Sequence, residues 1–213
     1  MAVAARRFPR ASPRPRVGTP ALLACFGAAL GQECRAVGGR TLLGPVINIT
    51  RTLLNGRTFE YLSEDLHLNS RLVVPIVKAI QAQGVAACIK HFAANNQETN
   101  RVRISAEVSE RALQEIYLPA FRAEGDAWAV MSAYNAINGT PASQNRDLLR
   151  HKLQHQWGFR GFVVSDWFAA RGTTAPGPAS RAGSALKCRA RVRATDTGTS
   201  RPASSCVHRG GAS

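Results

Sequence analysis

Four short apolar runs, at residues 42–49, 85–89, 128–132 and 162–165, each stop at polar or charged residues. Stretches of helical periodicity separate them. An apolar run of about four to eight residues suits a strand buried on both faces. Parallel strands need a crossover between them, usually a helix, so this alternation predicts an α/β fold around a parallel sheet. In such sheets functional groups collect beyond the carboxyl ends of the strands. Here those ends carry Arg51 and Arg57, then Lys90 and His91, then Tyr134 and Asn135, and finally Asp166. One polar strand end says little, but four in succession point to a shared site.

The crossovers have recognisable starts and stops. Ser63, followed by Glu64 and Asp65, reads as an N-cap with acids in the first turn. Leu68, Leu72, Val73, Ile76, Val77 and Ile80 then form one apolar face, and Gly84 closes the helix. Pro75 lies inside it and predicts a kink or a break. A polar loop fills 95–101, and a helix from about Ser109 carries Leu113, Ile116, Tyr117 and Phe121 on one face. Asn138-Gly139 is a turn, and Asn145-Arg146-Asp147 opens a helix bearing Leu148, Leu149 and Leu153. Upstream, Leu22, Phe26, Leu30 and Cys34 recur with helical spacing over about 21–36.

The formal charge of +15 invites a nucleic-acid reading until it is divided along the chain. Residues 1–40 and 171–213 carry +6 and +7, whereas residues 41–170 carry 13 Arg/Lys against 11 acids. The basicity belongs to low-complexity ends, which bind polyanions without specificity, so no specific nucleic-acid partner is expected. No apolar run approaches the roughly 20 residues of a membrane span. The arginines at 6, 7, 10, 14 and 16 before an apolar stretch resemble an export signal, but the basic part is long and proline-rich. The compartment stays open, with the cytoplasm favoured over secretion. Five cysteines form no CxxC pair, and Cys88, inside an apolar run, reads as a buried thiol.

Each candidate residue has a plain alternative. Asp166 could cap the next element, or act as a base, metal ligand or nucleophile. A single acid at the strand ends disfavours a carboxylate metal cluster, so no metal or cofactor is expected. Lys90-His91 could bind sugar hydroxyls, a carboxylate or a phosphate, or could be a salt-bridged lysine beside a structural histidine. Arg57 has Glu60, Glu64 and Asp65 nearby and could be ion-paired on the surface. Tyr134 and Trp167 offer flat apolar faces suited to sugar rings, although single aromatics are more often core.

Taken together, these residues resemble glycoside hydrolase family 3, the β-glucosidase family, in its N-terminal barrel domain. The strings that carry the resemblance are Asn55-Gly56-Arg57-Thr58-Phe59-Glu60-Tyr61, Ser63-Glu64-Asp65, Ile89-Lys90-His91-Phe92 and Asn95-Asn96-Gln97-Glu98. They continue with Glu115-Ile116-Tyr117-Leu118-Pro119, Met131-Ser132-Ala133-Tyr134-Asn135 and Val163-Val164-Ser165-Asp166-Trp167, in order over about residues 41–170. The resemblance implies retaining hydrolysis of a terminal β-linked sugar, from a small-molecule or oligosaccharide β-glycoside. It implies that Asp166 is the nucleophile, that Arg57, Lys90, His91, Arg101 and Tyr134 hold the sugar, and that Trp167 lies beside it. Cationic neighbours are expected to keep Asp166 ionised.

The departures from that family shape the expected architecture. A complete barrel of this class has eight strands in ~250 residues, whereas four strands are legible here. The fold expected is therefore an incomplete (β/α)8 TIM-type barrel over residues 21–172, between basic tails that are disordered or non-native. Residues 1–20 read as a disordered Pro/Arg-rich leader. The link Arg122-Ala123-Glu124-Gly125-Asp126 is shorter than the family pattern. The opening strand with its sugar-binding aspartate, and the second domain that usually supplies the acid/base glutamate, are not recognised. Residues 173–213 read as an out-of-frame tail, because shifting the frame across 182–191 allows Glu-Met-Pro-Gly, a string family members carry after the nucleophile. The chain alone is then expected to be inactive. A catalytically dead sugar-binding remnant and a basic nucleic-acid-binding protein are the competing readings, and the oligomeric state is open.

Overall fold

The structure is a computed structural model that describes residues 19–170; the expected leader up to residue 18 and the expected out-of-frame tail lie outside those residues. In chain order the elements begin with α1 (Pro20–Ala36), β1 (Thr41–Leu42), α2 (Leu66–Gln81), β2 (Ala86–Phe92) and β3 (Ser105–Ala106). They continue with α3 (Glu110–Ala112), a π turn (Leu113–Tyr117), α4 (Pro119–Ala123), β4 (Ala129–Ser132), β5 (Ala136–Ile137) and β6 (Thr140–Pro141). A π-helical segment (Asp147–Gln156) and β7 (Phe162–Ser165) follow, and short 3-10 turns lie at Leu53–Asn55, Thr58–Glu60 and Ala142–Gln144.

The four predicted strands form one parallel sheet in the order β1-β2-β4-β7, with the crossovers packed on it. Its outer strands do not meet among the described residues, so the sheet is an open α/β arc and no closed barrel forms. The first run pairs regularly with β2 only at Thr41 and Leu42. Beyond them Pro45, which has no N–H and follows a cis Gly44–Pro45 bond, breaks the regular ladder. The chain still tracks β2 through Cys88 N to Gly44 O (3.1 Å), Lys90 N to Pro45 O (3.2 Å) and Ile47 N to Lys90 O (2.9 Å). A short hairpin, β5 with β6, adds to β3, and its turn residues Asn138 and Gly139 both have the positive φ that a tight hairpin requires.

Helix α2 runs unbroken through Pro75, so of the kink or break predicted there the break does not occur. Its cap is Asp65, whose side chain accepts from Leu68 N, while Ser63 Oγ accepts from Asp65 N one step earlier. Leu72, Val73, Ile76, Val77 and Ile80 are buried as predicted, but Leu68 lies in solvent in the first turn. Asn69 takes a buried place instead, donating to Ile47 O at 2.7 Å.

Helix α1 docks on α2 along Leu23, Gly27 and Gly31; of the predicted face, Leu30 and Cys34 pack against the core while Leu22 is exposed. The reason is the close approach of the two backbones. A Cβ on Gly27 would meet Ile76 O at 2.4 Å, and one on Gly31 would meet Ile80 O at 3.0 Å. Apolar periodicity overlooks a glycine contact of this kind. The helix begins at Pro20, with Thr19 capping Leu22 N.

After Ser109, the predicted helix is divided. Pro119 has no N–H to offer Glu115, and the chain absorbs one extra residue as a π turn, with Leu118 N bonded to Leu113 O at 3.0 Å. Leu113 and Phe121 are buried as predicted, but Ile116 and Tyr117 are only half-buried, and Leu118 and Ala120 take buried places. Phe121 packs edge-on against Phe92 at the end of β2, with ring centroids 5.0 Å apart. Cys88 is fully buried in the sheet, as expected. Among the described residues, no helix is long and apolar enough to cross a membrane.

Candidate active site

The carboxyl ends of β2, β4 and β7 bring His91, Tyr134 and Asp166 together, and the loops after the first run and after β2 add Arg57 and Arg101. Asp166 directly follows β7 and is buried. Its Oδ1 accepts from Trp167 N at 2.7 Å. Its Oδ2 has no well-aligned hydrogen bond, although His91 Nε2 lies 3.4 Å away and the Tyr134 hydroxyl is close enough to favour the ionised form. Burial dominates the balance and raises the Asp166 pKa. The Trp167 amide, Lys90, Arg57 and Tyr134 pull it back only in part. The cationic neighbours expected to keep Asp166 ionised do lower its pKa, but desolvation outweighs them and the net direction is upward.

His91 owes its position to an asparagine. The register of β2 against β4 shifts between Lys90 and Phe92, which removes His91 from the ladder. The Asn48 amide takes the place of the missing strand neighbour, accepting from His91 N at 2.7 Å and donating to His91 O at 2.9 Å. The peptide bonds Lys90–His91 and Phe92–Ala93 are both cis. The imidazole is buried, and desolvation followed by Arg57, Lys90 and Arg101 lowers its pKa to about 2. It is neutral, and facing a carboxylate it places its proton on Nε2. Lys90 beside it makes no ion pair among the described residues, and burial lowers its pKa against the partial support of Glu60.

The two arginines are held by acids. Arg57 Nε meets Glu60 Oε1 at 2.5 Å, and Arg57 Nη1 stands 3.8 Å from Glu98 Oε1. Arg101 Nη1 bonds Glu98 Oε2 at 2.7 Å, and its guanidinium lies over the Tyr134 ring, 4.2 Å from the centroid. The Tyr134 pKa rises to about 12, first through burial and then through Asp166. Arg57 is thus ion-paired, as its alternative reading required, but half-buried and within electrostatic reach of Asp166 and not on an outer surface. Of the three acids foreseen beside it, Glu60 is its partner, and Glu64 and Asp65 are not used. Buried asparagines stitch the loops: Asn96 donates to Ile49 O (2.6 Å), and Asn95 O accepts from Tyr61 Oη (2.7 Å).

The remaining strand-end residues sort differently. Arg51 is exposed and lies over the Tyr117 ring at 5.8 Å, and Asn135 is buried with its amide on Ala93 O and Ala136 O, a structural role. Trp167 is half-buried against the small cluster of Cys88, Ala129, Met131 and Val164. The residues that sequence reasoning missed are Asn48 and Glu98. Asn48 was visible as a lone amide in an apolar run, and Glu98 as an acid three residues before Arg101. Among the described residues, no three His, Cys, Asp or Glu side chains group as metal ligands.

Comparison with known proteins agrees with this geometry. The Glycosyl hydrolase family 3 N terminal domain matches residues 4–194. The β-glucosidase BoGH3A of Bacteroides ovatus is 50% identical over 157 residues, covering 72% of this chain and 21% of its own length. An exo-α-(1→6)-L-arabinopyranosidase of Bifidobacterium longum is 45% identical over 170 residues, covering 78% of this chain and 22% of its own. Among solved structures, β-glucosidase 3B from Thermotoga neapolitana in complex with glucose superposes with a TM-score of 0.80 at 47% identity. That match covers 84% of this chain and 25% of the other. The chain spans about a fifth of the length of the curated relatives it matches.

Proposed function

The chain belongs to glycoside hydrolase family 3, and on that premise we propose that its site is the nucleophile and sugar-holding side of a retaining β-glycosidase. The observation that carries this reading is the asymmetry of Asp166. One oxygen is anchored by the Trp167 amide, and the other is buried without a well-aligned partner beside His91 and Tyr134. A carboxylate so held keeps one lone pair ready for an electrophilic carbon.

In the proposed reaction Oδ2 of Asp166 attacks the anomeric carbon of a terminal β-linked sugar while the bond to the leaving oxygen breaks. A second carboxyl group, about 5–5.5 Å away in a retaining enzyme, protonates the departing oxygen. Water then enters at the same carbon and releases the sugar with its configuration retained. Arg57, Lys90, His91 and Arg101 present donors to sugar hydroxyls, and neutral His91 can do so without adding charge. Trp167 and the ring of Tyr134 supply apolar walls. The acid/base role is assigned to no residue described here. The relatives include a β-glucosidase and an arabinopyranosidase, so the sugar is proposed as a pyranose and not narrowed further.

An activated 2-deoxy-2-fluoro-β-glucoside with a dinitrophenolate leaving group tests this directly, because such a leaving group needs little protonation. The expected result is a stoichiometric mass adduct that maps to Asp166 and is absent from Asp166→Asn. An adduct elsewhere, or one that persists in Asp166→Asn, would sink the assignment. Reversible glucose binding without an adduct would favour a sugar-binding remnant.

A further inference from the structure

Two guanidinium groups and a lysine crowd one buried carboxylate, yet none of the three pairs with it. A guanidinium near a carboxylate favours a bidentate fork. Arg57 and Asp166, and Arg101 and Asp166, are close enough to influence one another. Glu98 engages both arginines. Its Oε2 takes Arg101 Nη1 at 2.7 Å, and its Oε1 faces Arg57 Nη1 at 3.8 Å while accepting Asn95 Nδ2 at 3.2 Å. Glu60 occupies the Nε side of Arg57. A Cβ on Gly56, at φ +92°, would stand 3.4 Å from Glu98 Cβ and Cγ, so a side chain there would press on the acid.

We infer that Glu98 is a positioning residue: its two oxygens hold Arg101 and Arg57 across the site and off Asp166. This rests on the reading of Asp166 as the sugar nucleophile. A half-exposed ion pair contributes little to stability, so the role lies in aim. With Glu98 neutral, Arg101 loses its acid and turns from the face of Tyr134 toward the next carboxylate, Asp166. An arginine fork there occupies the unshared Oδ2, withdraws its lone pairs, and removes a donor from the sugar.

The test uses the full chain and Glu98→Gln, which keeps shape and loses charge. The Asp166 carboxyl is followed by 13C-labelled NMR titration, and glucono-1,5-lactone binding by calorimetry. The inference expects Asp166 to titrate about one pH unit lower than in the parent and lactone to bind about tenfold more weakly, with the thermal midpoint nearly unchanged. Adding Arg101→Gln should restore the parent Asp166 titration, which a general loosening of the loop would not do. An unchanged Asp166 titration in Glu98→Gln overturns the inference. If that single variant does not fold, Arg101→Gln with Glu98 intact decides: a downward shift of Asp166 there overturns it, and the absence of one supports it. Should the parent chain bind no lactone, the sugar reading falls, while the Asp166 titration still decides the part played by Glu98.

Discussion

Glu124, at the end of α4, is a carboxyl group in the wrong solvent. It is 1% exposed, and neither oxygen has a hydrogen-bond partner. Burial raises its pKa from 4.5 to about 8; Lys78 opposes the rise and Asp126 adds to it. A carboxyl whose folded pKa lies above its unfolded value destabilises the fold as pH rises. The unfolded chain sheds the proton near pH 4.5, the folded chain holds it until about pH 8, and stability declines between. Each unit corresponds to about 1.4 kcal/mol, so the decline reaches roughly 3 kcal/mol by pH 7 and about 5 kcal/mol above pH 8. Glu124→Gln has the same shape and nothing to ionise. Urea unfolding of both proteins at pH 5, 6, 7 and 8 should show near equality at the acid end. The variant should then gain steadily, levelling above pH 8. A difference that stays flat within about 0.5 kcal/mol across that range refutes the reasoning and means that Glu124 ionises in place, with the exposed Lys78 ammonium reaching it.

Other perturbations have equally definite signs. Gly27→Ala drives a methyl group against Ile76 O and should lower stability by about 1–3 kcal/mol, read as a fall in the urea midpoint; a neutral result would mean that α1 does not dock along Gly27. Asn48→Ala strands the N–H and C=O of His91 in the interior and should remove about 2–4 kcal/mol, with the His91 amide losing its protection in hydrogen exchange. Asp166→Asn should be more stable than the parent at pH 7, because burial raises the Asp166 pKa and folding then disfavours the ionised form. That advantage should vanish below about pH 4, and pH-resolved unfolding curves would contradict it if the parent were the more stable at neutrality.

The sheet and its order of strands were legible because each strand is a short unbroken apolar run, and a helix-period stretch separates it from the next. The meeting of His91, Tyr134 and Asp166 followed from their places at successive parallel strand ends. What escaped notice has a common physical character. Gly27 and Gly31 pack by absence of a side chain, which no apolar pattern records. The π turn at Leu113–Tyr117 shifts the buried face by one residue, so a strict helical period puts Ile116 and Tyr117 where Leu118 stands. The contacts of Asn48, Asn69 and Asn96 escaped the sequence because a buried amide gains value only from the carbonyl or amide it meets across the fold. Glu124 looked like part of a polar link, and its burial is a tertiary fact. Glu60 and Glu98 were visible beside Arg57 and Arg101, but which acid serves which arginine depends on loops folded against each other.

The hairpin after Tyr134 depends on one side chain amide. Asn138 accepts from Val108 N at 2.8 Å and donates to Val108 O at 2.9 Å, and the next residue is Gly139. An asparagine before glycine is the step at which a chain ages fastest, since the following backbone nitrogen can attack the amide carbon and expel ammonia. Here that nitrogen is held by Ser105 Oγ at 2.8 Å, and the amide is held by Val108, which slows the attack while the hairpin stays closed. Each opening of the hairpin lets the reaction advance. Once aspartate stands at 138, a carboxylate faces the Val108 carbonyl and the hairpin loses that clasp.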